Sequence, residues 1–294
     1  MRISLQIPNY SFPGGSQTFS DDMREIVIRA DSAGFHSIWV MDHYFQIGPF
    51  GVIGPAEDDM HEAYSVLSWI AALTKNVKLG TLVTGAVYRQ PGFLIKTVTS
   101  LDVLSKGRAY LGIGAGWFER EAIGLGFPFP PLKVRFEILE ETLQIAKQMW
   151  LDNNSEYKGK HFHLKETLCH PQPLSNPHPP ILIGGMGPQK TLRMVAQYAD
   201  ACNLFTGGGL GKVKEALRVL KGHCERLGRN YDDIEKTSLS SAFFDRQTPE
   251  DIINHIKELR ALGIDNAIFN VRNPLEHNVL DLFRDEIIPA VTGL

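Results

Sequence analysis

The sequence has few cysteines, and they form no pattern. Cys169, Cys202 and Cys224 are the only three in 294 residues, they lie far apart, and no CxxC pair occurs. Such a set predicts neither a disulfide framework nor a zinc knuckle. It is typical of a protein kept in a reducing compartment, so we expect a cytoplasmic protein.

The sequence also lacks long apolar runs and a strong charge imbalance. No stretch approaches the roughly 20 apolar residues of a membrane span. The N-terminus, MRISLQIPNY, lacks the basic head and apolar stretch of a signal peptide. The net charge of -3 gives no reason to expect nucleic acid or an anionic membrane as a partner. We therefore expect neither nucleic acid nor a membrane as a partner.

What the sequence does contain is a regular alternation of strand-like and helix-like segments. Strands are predicted at 3–7, 36–41, 77–83, 108–113, 181–183, 199–204, 237–244 and 267–271. Helices are predicted at 19–33, 62–73, 93–104, 134–150, 190–198, 212–227, 249–262 and 279–291. Parallel neighbours need a helical crossover, so eight such units at this length predict an α/β fold, a (β/α)8 TIM barrel.

One segment interrupts the alternation. Residues 151–180 are rich in Asn, His and Pro, with a possible hairpin at 157–164. No low-complexity linker divides the chain. We therefore expect a single TIM-barrel domain over 1–294, with 151–180 as an insertion after the fourth helix.

An ionisable pair ends the second predicted strand. Asp42 and His43 follow the apolar run SIWVM, at the end of a barrel strand where active sites lie. A histidine can carry a proton near neutral pH, and the carboxylate of Asp42 can orient the ring or hold its charge. The alternative is that Asp42 caps the loop and His43 is a satisfied edge histidine.

Glycine-rich segments end the third and fourth predicted strands, at 79–92 and 111–121. In the first, LGTLVTGAVYRQPG, the glycines indicate either close approach to a ligand or only a barrel bulge. In the second, LGIGAGWFERE, the GxGxG spacing differs from the GxGxxG of a dinucleotide fold. There the glycines would let a flat ring lie against the backbone, with Trp117 as a wall, or Trp117 is core.

The most specific ligand signal follows the fifth predicted strand. Gly184-Gly185-Met186-Gly187 leads into a helix that begins near Pro188, and backbone amides at a helix N-terminus form a cradle for phosphate. The alternative is a plain Gly-Pro turn. A second flexible turn, with Thr206 and Gly207, follows the sixth strand and would lie beside the first.

A metal site is a competing interpretation. His161 and His163 lie two apart, on one face if that segment is a strand, and His170 and His178 follow. Metal barrels carry their ligands at strand ends rather than in a Pro-rich segment, and compact ligand spacing is missing. We therefore predict no metal.

In this order, the segments resemble the luciferase-like monooxygenase superfamily, in its branch dependent on the deazaflavin coenzyme F-420. The resemblance covers nearly the whole chain. It is carried by residues 5–9 (LQIPN), 39–43 (WVMDH), 79–84 (LGTLVT) with 88–89 (YR), 112–117 (GIGAGW), 183–187 (IGGMG) and 199–203 (ADACN). The resemblance implies a homodimeric oxidoreductase that transfers a hydride between F-420 and an unidentified small organic substrate.

The resemblance also assigns roles to residues. His43, with Asp42 beside it, is the expected proton donor or stabiliser near the hydride-carrying ring. A non-prolyl cis peptide in the 82–84 stretch is expected to form a bulge that backs the ring, and the phosphate of the cofactor tail is expected on 184–187. The predicted cofactor-binding residues are Leu82, Val83, Thr84, Gly114, Ala115, Gly116, Trp117, Gly184, Gly185, Met186, Gly187, Thr206 and Gly207.

The sequence departs from one pattern of that branch. Its sugar-phosphate dehydrogenases carry a Glu just after the strand-four glycines, whereas this chain has Trp117 there, with Glu119 and Glu121 later. A sugar-phosphate substrate is therefore not predicted. The apolar loops at 44–61 and 117–133 either line a hydrophobic substrate pocket or only cover the barrel mouth.

Three alternatives for function stay open at this point. The first is a monooxygenase that uses reduced flavin mononucleotide (FMN) and oxygen, because FMN also presents a tricyclic ring and a phosphate. The second is a non-catalytic flavin- or deazaflavin-binding protein, a carrier or sensor. The third is a metal-dependent hydrolase.

Overall fold

The structure is a computed structural model that describes residues 1–48 and 54–294. Within these residues its main sheet contains nine strands, each parallel to its neighbours. Two further short strands form an antiparallel hairpin. In chain order the strands are β1 (Arg2–Ile7), β2 (Ser37–Val40), β3 (Lys78–Thr81), β4 (Thr84–Gly85), β5 (Leu111–Gly114), β6 (Tyr157–Lys158), β7 (His163–Leu164), β8 (Ile181–Gly184), β9 (Ala201–Phe205), β10 (Glu235–Ser241) and β11 (Asn266–Asn270).

The main sheet returns on itself as a barrel. The strand order is β3-β2-β1-β11-β10-β9-β8-β5-β4, and a parallel bridge between Leu79 of β3 and Ala109, just before β5, joins its two ends. The strands β3 and β4 are two parts of one barrel position, interrupted at residues 82–83. The predicted (β/α)8 barrel is therefore confirmed.

Helices cover the outside of the barrel. They are α1 (Phe19–Ala33), α2 (Ala63–Leu73), α3 (Pro91–Leu104), α4 (Glu119–Gly124), α5 (Leu132–Trp150), α6 (Thr191–Tyr198), α7 (Leu210–Leu227), α8 (Pro249–Ala261), α9 (Val279–Leu282) and α10 (Ile288–Val291), with the π-helical turn Phe283–Ile287 between the last two. In α1 the buried side chains Met23, Ile26, Val27 and Ala30 recur at helical spacing and face the sheet. Among the described helices, none combines the length and apolarity needed to cross a bilayer.

The structure differs from the sequence prediction in three local features. The predicted third strand at 77–83 is split, because the peptide bond between Leu82 and Val83 is cis and the ladder resumes at Thr84. The short helix α4 was not predicted, since its six residues are too few to show a helical period. The helix after the 184–187 loop begins at Thr191 rather than near Pro188. The hairpin β6–β7 lies where it was predicted.

Gly112 in β5 is required by the close approach of neighbouring strands. A Cβ atom at this position would lie 1.8 Å from the backbone oxygen of Thr81, which cannot move without breaking the barrel. We expect Gly112→Ala to lower the free energy of unfolding by about 3 kcal/mol, the upper range for overpacking. Chemical denaturation measures this change.

Gly222 provides the matched control for that prediction. It lies inside α7, where a Cβ would meet only the Arg226 guanidinium at an ordinary 3.6 Å. Gly222→Ala should therefore stabilise the protein by up to about 1 kcal/mol through helix propensity. Equal denaturation midpoints for Gly112→Ala and the native protein would contradict the packing argument.

Candidate active site

A cavity of about 500 Å³ opens at the carboxyl end of the barrel strands. Its walls are mostly apolar and aromatic, formed by Met41, Leu82, Val83, Trp117, Phe205 and Phe243. Its polar lining comes from strands or from the segments just beyond them, and it includes Gln6, His43, Thr84, Tyr88, Asn203, Ser241 and Asn270. A cavity with few polar groups on apolar walls is the usual form of a small-molecule site.

His43 lies just beyond β2 and is 9% exposed. Its Nδ1 lies 2.6 Å from Oε1 of Glu121 in α4. Because a carboxylate can only accept, Nδ1 of the neutral imidazole carries the proton and donates it. The second ring nitrogen, Nε2, is then the one with a lone pair, on a side chain that lines the cavity. The arrangement provides a base of fixed tautomer, or an acid when the ring is charged.

Glu121 is completely buried and is bound only by donors. Besides His43, it accepts from the Tyr88 hydroxyl and from the backbone N–H groups of Tyr44 and Phe45, at 2.8 and 3.2 Å. Burial alone raises the pKa of this carboxyl, but the hydrogen bonds from His43, Tyr88 and Tyr44 outweigh it and hold the pKa below its usual range. Glu121 therefore stays ionised, and burial with the Glu121 contact raises the pKa of Tyr88, so that phenol stays protonated.

Asp42 does not contact the His43 ring. Its carboxylate is 1% exposed and forms a bidentate ion pair with Arg89. In this pair, Nη2 of Arg89 donates to Oδ1 at 3.0 Å and Nη1 donates to Oδ2. Arg89 also binds Oε1 of Glu62, the N-cap of α2, at 2.6 Å. The contact that orients the His43 ring is therefore made by Glu121 rather than by Asp42.

The Asp42–Arg89 pair gives a stability prediction. Both side chains are almost fully buried, at 1% and 7% exposed, so Arg89→Met would leave the Asp42 charge buried without a cation. We expect the free energy of unfolding to fall by about 3–5 kcal/mol, measured by chemical denaturation.

Arg120→Met is the matched control. Arg120 pairs with Glu57 at 2.9 Å, with side chains 61% and 73% exposed. Exposed pairs contribute about 0–1 kcal/mol, so Arg120→Met should change the free energy of unfolding very little. An equally small change in the unfolding free energy of Arg89→Met would contradict the claim that the buried Asp42 charge needs Arg89 for stability.

The bulge at residues 82–83 and the glycine loop after β8 meet at the cavity wall. A Cβ on Gly184 would lie only 3.0 Å from Cγ1 of Val83, so the loop packs directly on the bulge. The Gly185 amide donates to the Asn203 carbonyl at 3.1 Å. An anion on this loop would therefore be bound farther out, at Met186 and Gly187. The expected non-prolyl cis peptide is confirmed at Leu82–Val83.

The model of the luciferase-like monooxygenase family matches residues 1–279. This chain belongs to the luciferase-like monooxygenase family. The match takes in all eight barrel positions and every residue of the cavity described above.

Among curated relatives of this family member is an F-420-dependent glucose-6-phosphate dehydrogenase of Amycolatopsis mediterranei. The two are 27% identical over 234 residues, which cover 76% of this chain and 66% of the relative. The chain thus spans about two thirds of the length of that relative.

Two solved structures share the whole fold with this luciferase-like chain. The monooxygenase RslO1 from Streptomyces bottropensis superimposes with a TM-score of 0.83 at 18% identity, covering 98% of this chain and 99% of the other. An F-420-dependent secondary alcohol dehydrogenase, solved with an F-420-acetone adduct, gives a TM-score of 0.83 at 19% identity and covers 99% of both chains. At these identities the comparison establishes the fold.

Many of the predicted site residues meet at one cavity in this family member. Those that line it are His43, Leu82, Val83, Thr84, Gly116, Trp117, Gly184 and Gly185. Those outside its lining are Asp42, Gly114, Ala115, Met186, Gly187, Thr206 and Gly207. Thr206 is turned toward β10, where its hydroxyl bonds the Leu239 carbonyl at 3.0 Å and the Ser240 hydroxyl at 2.9 Å.

The sequence interpretation missed part of the cavity. Gln6, Asn203, Ser241 and Asn270 were not assigned to the site, although all but Asn203 lie in the last two positions of their strands. That position was the available signal, because barrel sites collect residues from several strand ends. Glu121 was considered only in comparison with the sugar-phosphate dehydrogenases, whose Glu lies closer to the strand-four glycines.

The histidines of the 151–180 segment do not converge. His161 pairs with Glu137 at 2.8 Å and His163 pairs with Glu156 at 2.7 Å. Within residues 1–48 and 54–294, no group of three or more His, Cys, Asp or Glu side chains is placed to hold a metal ion. Of the apolar loop predicted at 44–61, Ile47 lines the cavity, and residues 49–53 lie outside the described part of the chain.

Proposed function

We propose that this protein is a coenzyme F-420-dependent oxidoreductase, which transfers a hydride between the deazaflavin and a small organic substrate. Membership of the luciferase-like family supports the proposal, as does the F-420-dependent activity named for the curated relative. The observation that carries it is the fixed tautomer of His43. Nδ1 is committed to the buried carboxylate of Glu121, and Nε2 is left for the cavity.

The residues around the cavity fit a flat tricyclic ring. Leu82 and Val83 form an apolar wall, Trp117 adds an aromatic surface, and Gly184 lets the loop approach Val83 closely. A deazaflavin ring would be held between these groups, and its phosphate-bearing tail would leave along Met186 and Gly187. Bound F-420 would supply or take up the hydride, which is chemistry that no side chain provides.

The chain's own contribution is orientation and proton transfer. When the substrate is oxidised, Nε2 of His43 takes the proton from its hydroxyl, and Glu121 stabilises the imidazolium that results. When the substrate is reduced, the same nitrogen returns the proton to the carbonyl oxygen. Apolar walls at the cavity keep bulk water away from the ring face, which strengthens the charge interactions inside.

A paired binding titration tests the proposal. Quenching of cofactor fluorescence should give micromolar or tighter binding of oxidised F-420, with much weaker binding of FMN. The reverse preference would contradict the proposal and indicate a flavin-dependent monooxygenase. Binding of neither cofactor would contradict both the F-420 assignment and the phosphate role of the 184–187 loop.

A variant pair locates the phosphate in the same titration. Met186→Glu places a carboxylate where the tail phosphate is expected, so the Kd for F-420 should rise about tenfold or more, the equivalent of 1.4 kcal/mol of repulsion. Met186→Gln has the same shape without the charge and should bind like the native protein. Equal affinity of both variants would place the phosphate elsewhere.

A further inference from the structure

We propose that the substrate of this site is an uncharged alcohol or carbonyl compound with a second hydroxyl or N–H group, which Gln6 and Asn270 accept at one side of the cavity. This inference rests on the proposed function and names its substrate class. It excludes a sugar phosphate, the substrate type in the name of the curated relative.

Gln6 and Asn270 present two buried oxygens that have no hydrogen-bond partner among the described residues. These atoms are Oε1 of Gln6 and Oδ1 of Asn270, on side chains 1% and 8% exposed. A buried acceptor without a partner costs stability. Both side chains line the cavity, and a ligand donor that reaches these oxygens from it would satisfy them.

The orientation of the Gln6 amide is fixed by its surroundings. Its Nε2 donates to the Leu82 carbonyl at 3.3 Å. Turning the amide over would place two oxygens against each other, so Oε1 must be the atom left for a partner. Because Gln6 is the register partner of Asn270 across the β1–β11 pair, the two side chains stand side by side. The two acceptors therefore belong to neighbouring strands at the same cavity.

The charge of the cavity argues against an anionic substrate. Among its described lining residues, His43 and Tyr88 are the only ionisable side chains, and no lysine or arginine is present. Residues 49–53, PFGVI, carry no charge by sequence. A phosphate dianion taken from water into such a cavity would lack the cation it requires.

Two arginines on the Phe243 side of the cavity line a different space. Arg246 and Arg272 line a separate space of about 360 Å³, and Phe243 stands between the two spaces because it lines both. The Arg246 guanidinium lies 4.1 Å from the centre of the Phe243 ring. These cations are therefore screened from the reacting centre by an aromatic wall.

The reaction on such a substrate balances with the groups already named. The C–H bond of the carbinol carbon breaks, and its electron pair passes as hydride to oxidised F-420. The O–H bond breaks, its proton passes to Nε2 of His43, and the C=O bond forms. The reverse reaction uses reduced F-420 and a protonated His43.

The first test compares matched substrates with the cofactor-loaded enzyme. Oxidised F-420 is offered with cyclohexanol, trans-1,2-cyclohexanediol, glucose or glucose 6-phosphate, and reduced F-420 is offered with cyclohexanone or 2-hydroxycyclohexanone. We expect the highest kcat/KM with the diol and the hydroxyketone, and no turnover of glucose 6-phosphate. Preferred turnover of glucose 6-phosphate would overturn the proposal. Turnover of none of these compounds would also overturn it, while the cofactor titration would still stand as the test of the proposed function.

The second test uses the variants Gln6→Met and Asn270→Leu. With trans-1,2-cyclohexanediol, the KM should rise about tenfold or more with kcat little changed, because a lost hydrogen-bond acceptor weakens binding of the matching donor. With cyclohexanol, which has no second donor, the KM should change much less than with the diol, whereas a merely structural effect would change both alike. A weakened Kd for F-420 in both variants, with unchanged KM, would assign the acceptors to the cofactor ring and overturn the substrate role.

Discussion

His43→Asn should lower kcat by about 10²- to 10⁴-fold, the range for loss of a general acid or base. The Nδ2 of asparagine can take the place of Nδ1 and still donate to Glu121, which preserves the buried hydrogen bond. What the variant lacks is a titratable nitrogen at Nε2. The Kd for F-420 should change less than about threefold, because no phosphate contact is altered. Steady-state kinetics and the fluorescence titration measure the two quantities.

The control for this variant is His163→Asn. His163 lies on the hairpin β6–β7 and pairs with Glu156, with its side chain 62% exposed. It should keep native kcat and native cofactor affinity. Full turnover by His43→Asn with bound cofactor would show that another group transfers the proton.

Glu121→Gln should also be nearly inactive, although Glu121 is absent from the cavity lining. All four partners of the carboxylate are donors, and the amide of glutamine has one nitrogen that cannot accept. If that nitrogen faces His43, it donates to Nδ1 and moves the ring proton to Nε2, the wrong tautomer. In a protease triad, the wrong histidine tautomer lowers kcat by about 10⁴-fold. We therefore expect Glu121→Gln to lower kcat by about 10²- to 10⁴-fold.

Glu119→Gln is the matched control, because Glu119 lies two residues earlier in α4 and is exposed. It should keep full activity. A purely structural effect of Glu121→Gln would lower the amount of folded enzyme without changing the shape of the pH profile. A positioning role predicts that kcat per folded enzyme falls, while the KM and the Kd for F-420 stay close to native.

Glu121 also predicts a pH dependence of stability. Its pKa in the folded protein lies below the ordinary value of 4.5, so near that pH the unfolded chain binds more protons at this carboxyl. The stabilisation is therefore fully present above pH 4.5 and is lost as the pH falls through the folded pKa. The difference in unfolding free energy between the native protein and Glu121→Gln should shrink on acidification, and a constant difference would contradict this.

The barrel could be predicted from the sequence because its signals are local. Each strand is a short apolar run, each helix has its own period, and crossover chirality leaves few ways to join them. A functional residue at the end of β2 could also be predicted, because the carboxyl ends of barrel strands form the active site. The bulge at Leu82–Val83 depended on family resemblance, because no propensity rule indicates a cis bond between these residue types.

The partner of His43 could not be predicted, because that contact is not local. Glu121 lies 78 residues from His43 in the chain, on a helix of only six residues that no periodicity reveals. Asp42 was the obvious candidate by adjacency, but its carboxylate pairs with Arg89 instead. The amides of Gln6 and Asn270 were missed for a similar reason, since a single polar residue at a strand end carries no pattern.

A crystal structure with oxidised F-420 bound tests the central claim most directly. The account predicts that the ring packs on Leu82 and Val83 beside His43, with the first phosphate of the tail on Met186 and Gly187. The competing location is the neighbouring space of about 630 Å³, lined by Tyr64, Arg89 and Phe93, which among the described residues shares only Tyr88 with the lining of the barrel cavity. A ring in that groove, or a ring in the barrel cavity turned away from His43, would contradict the account.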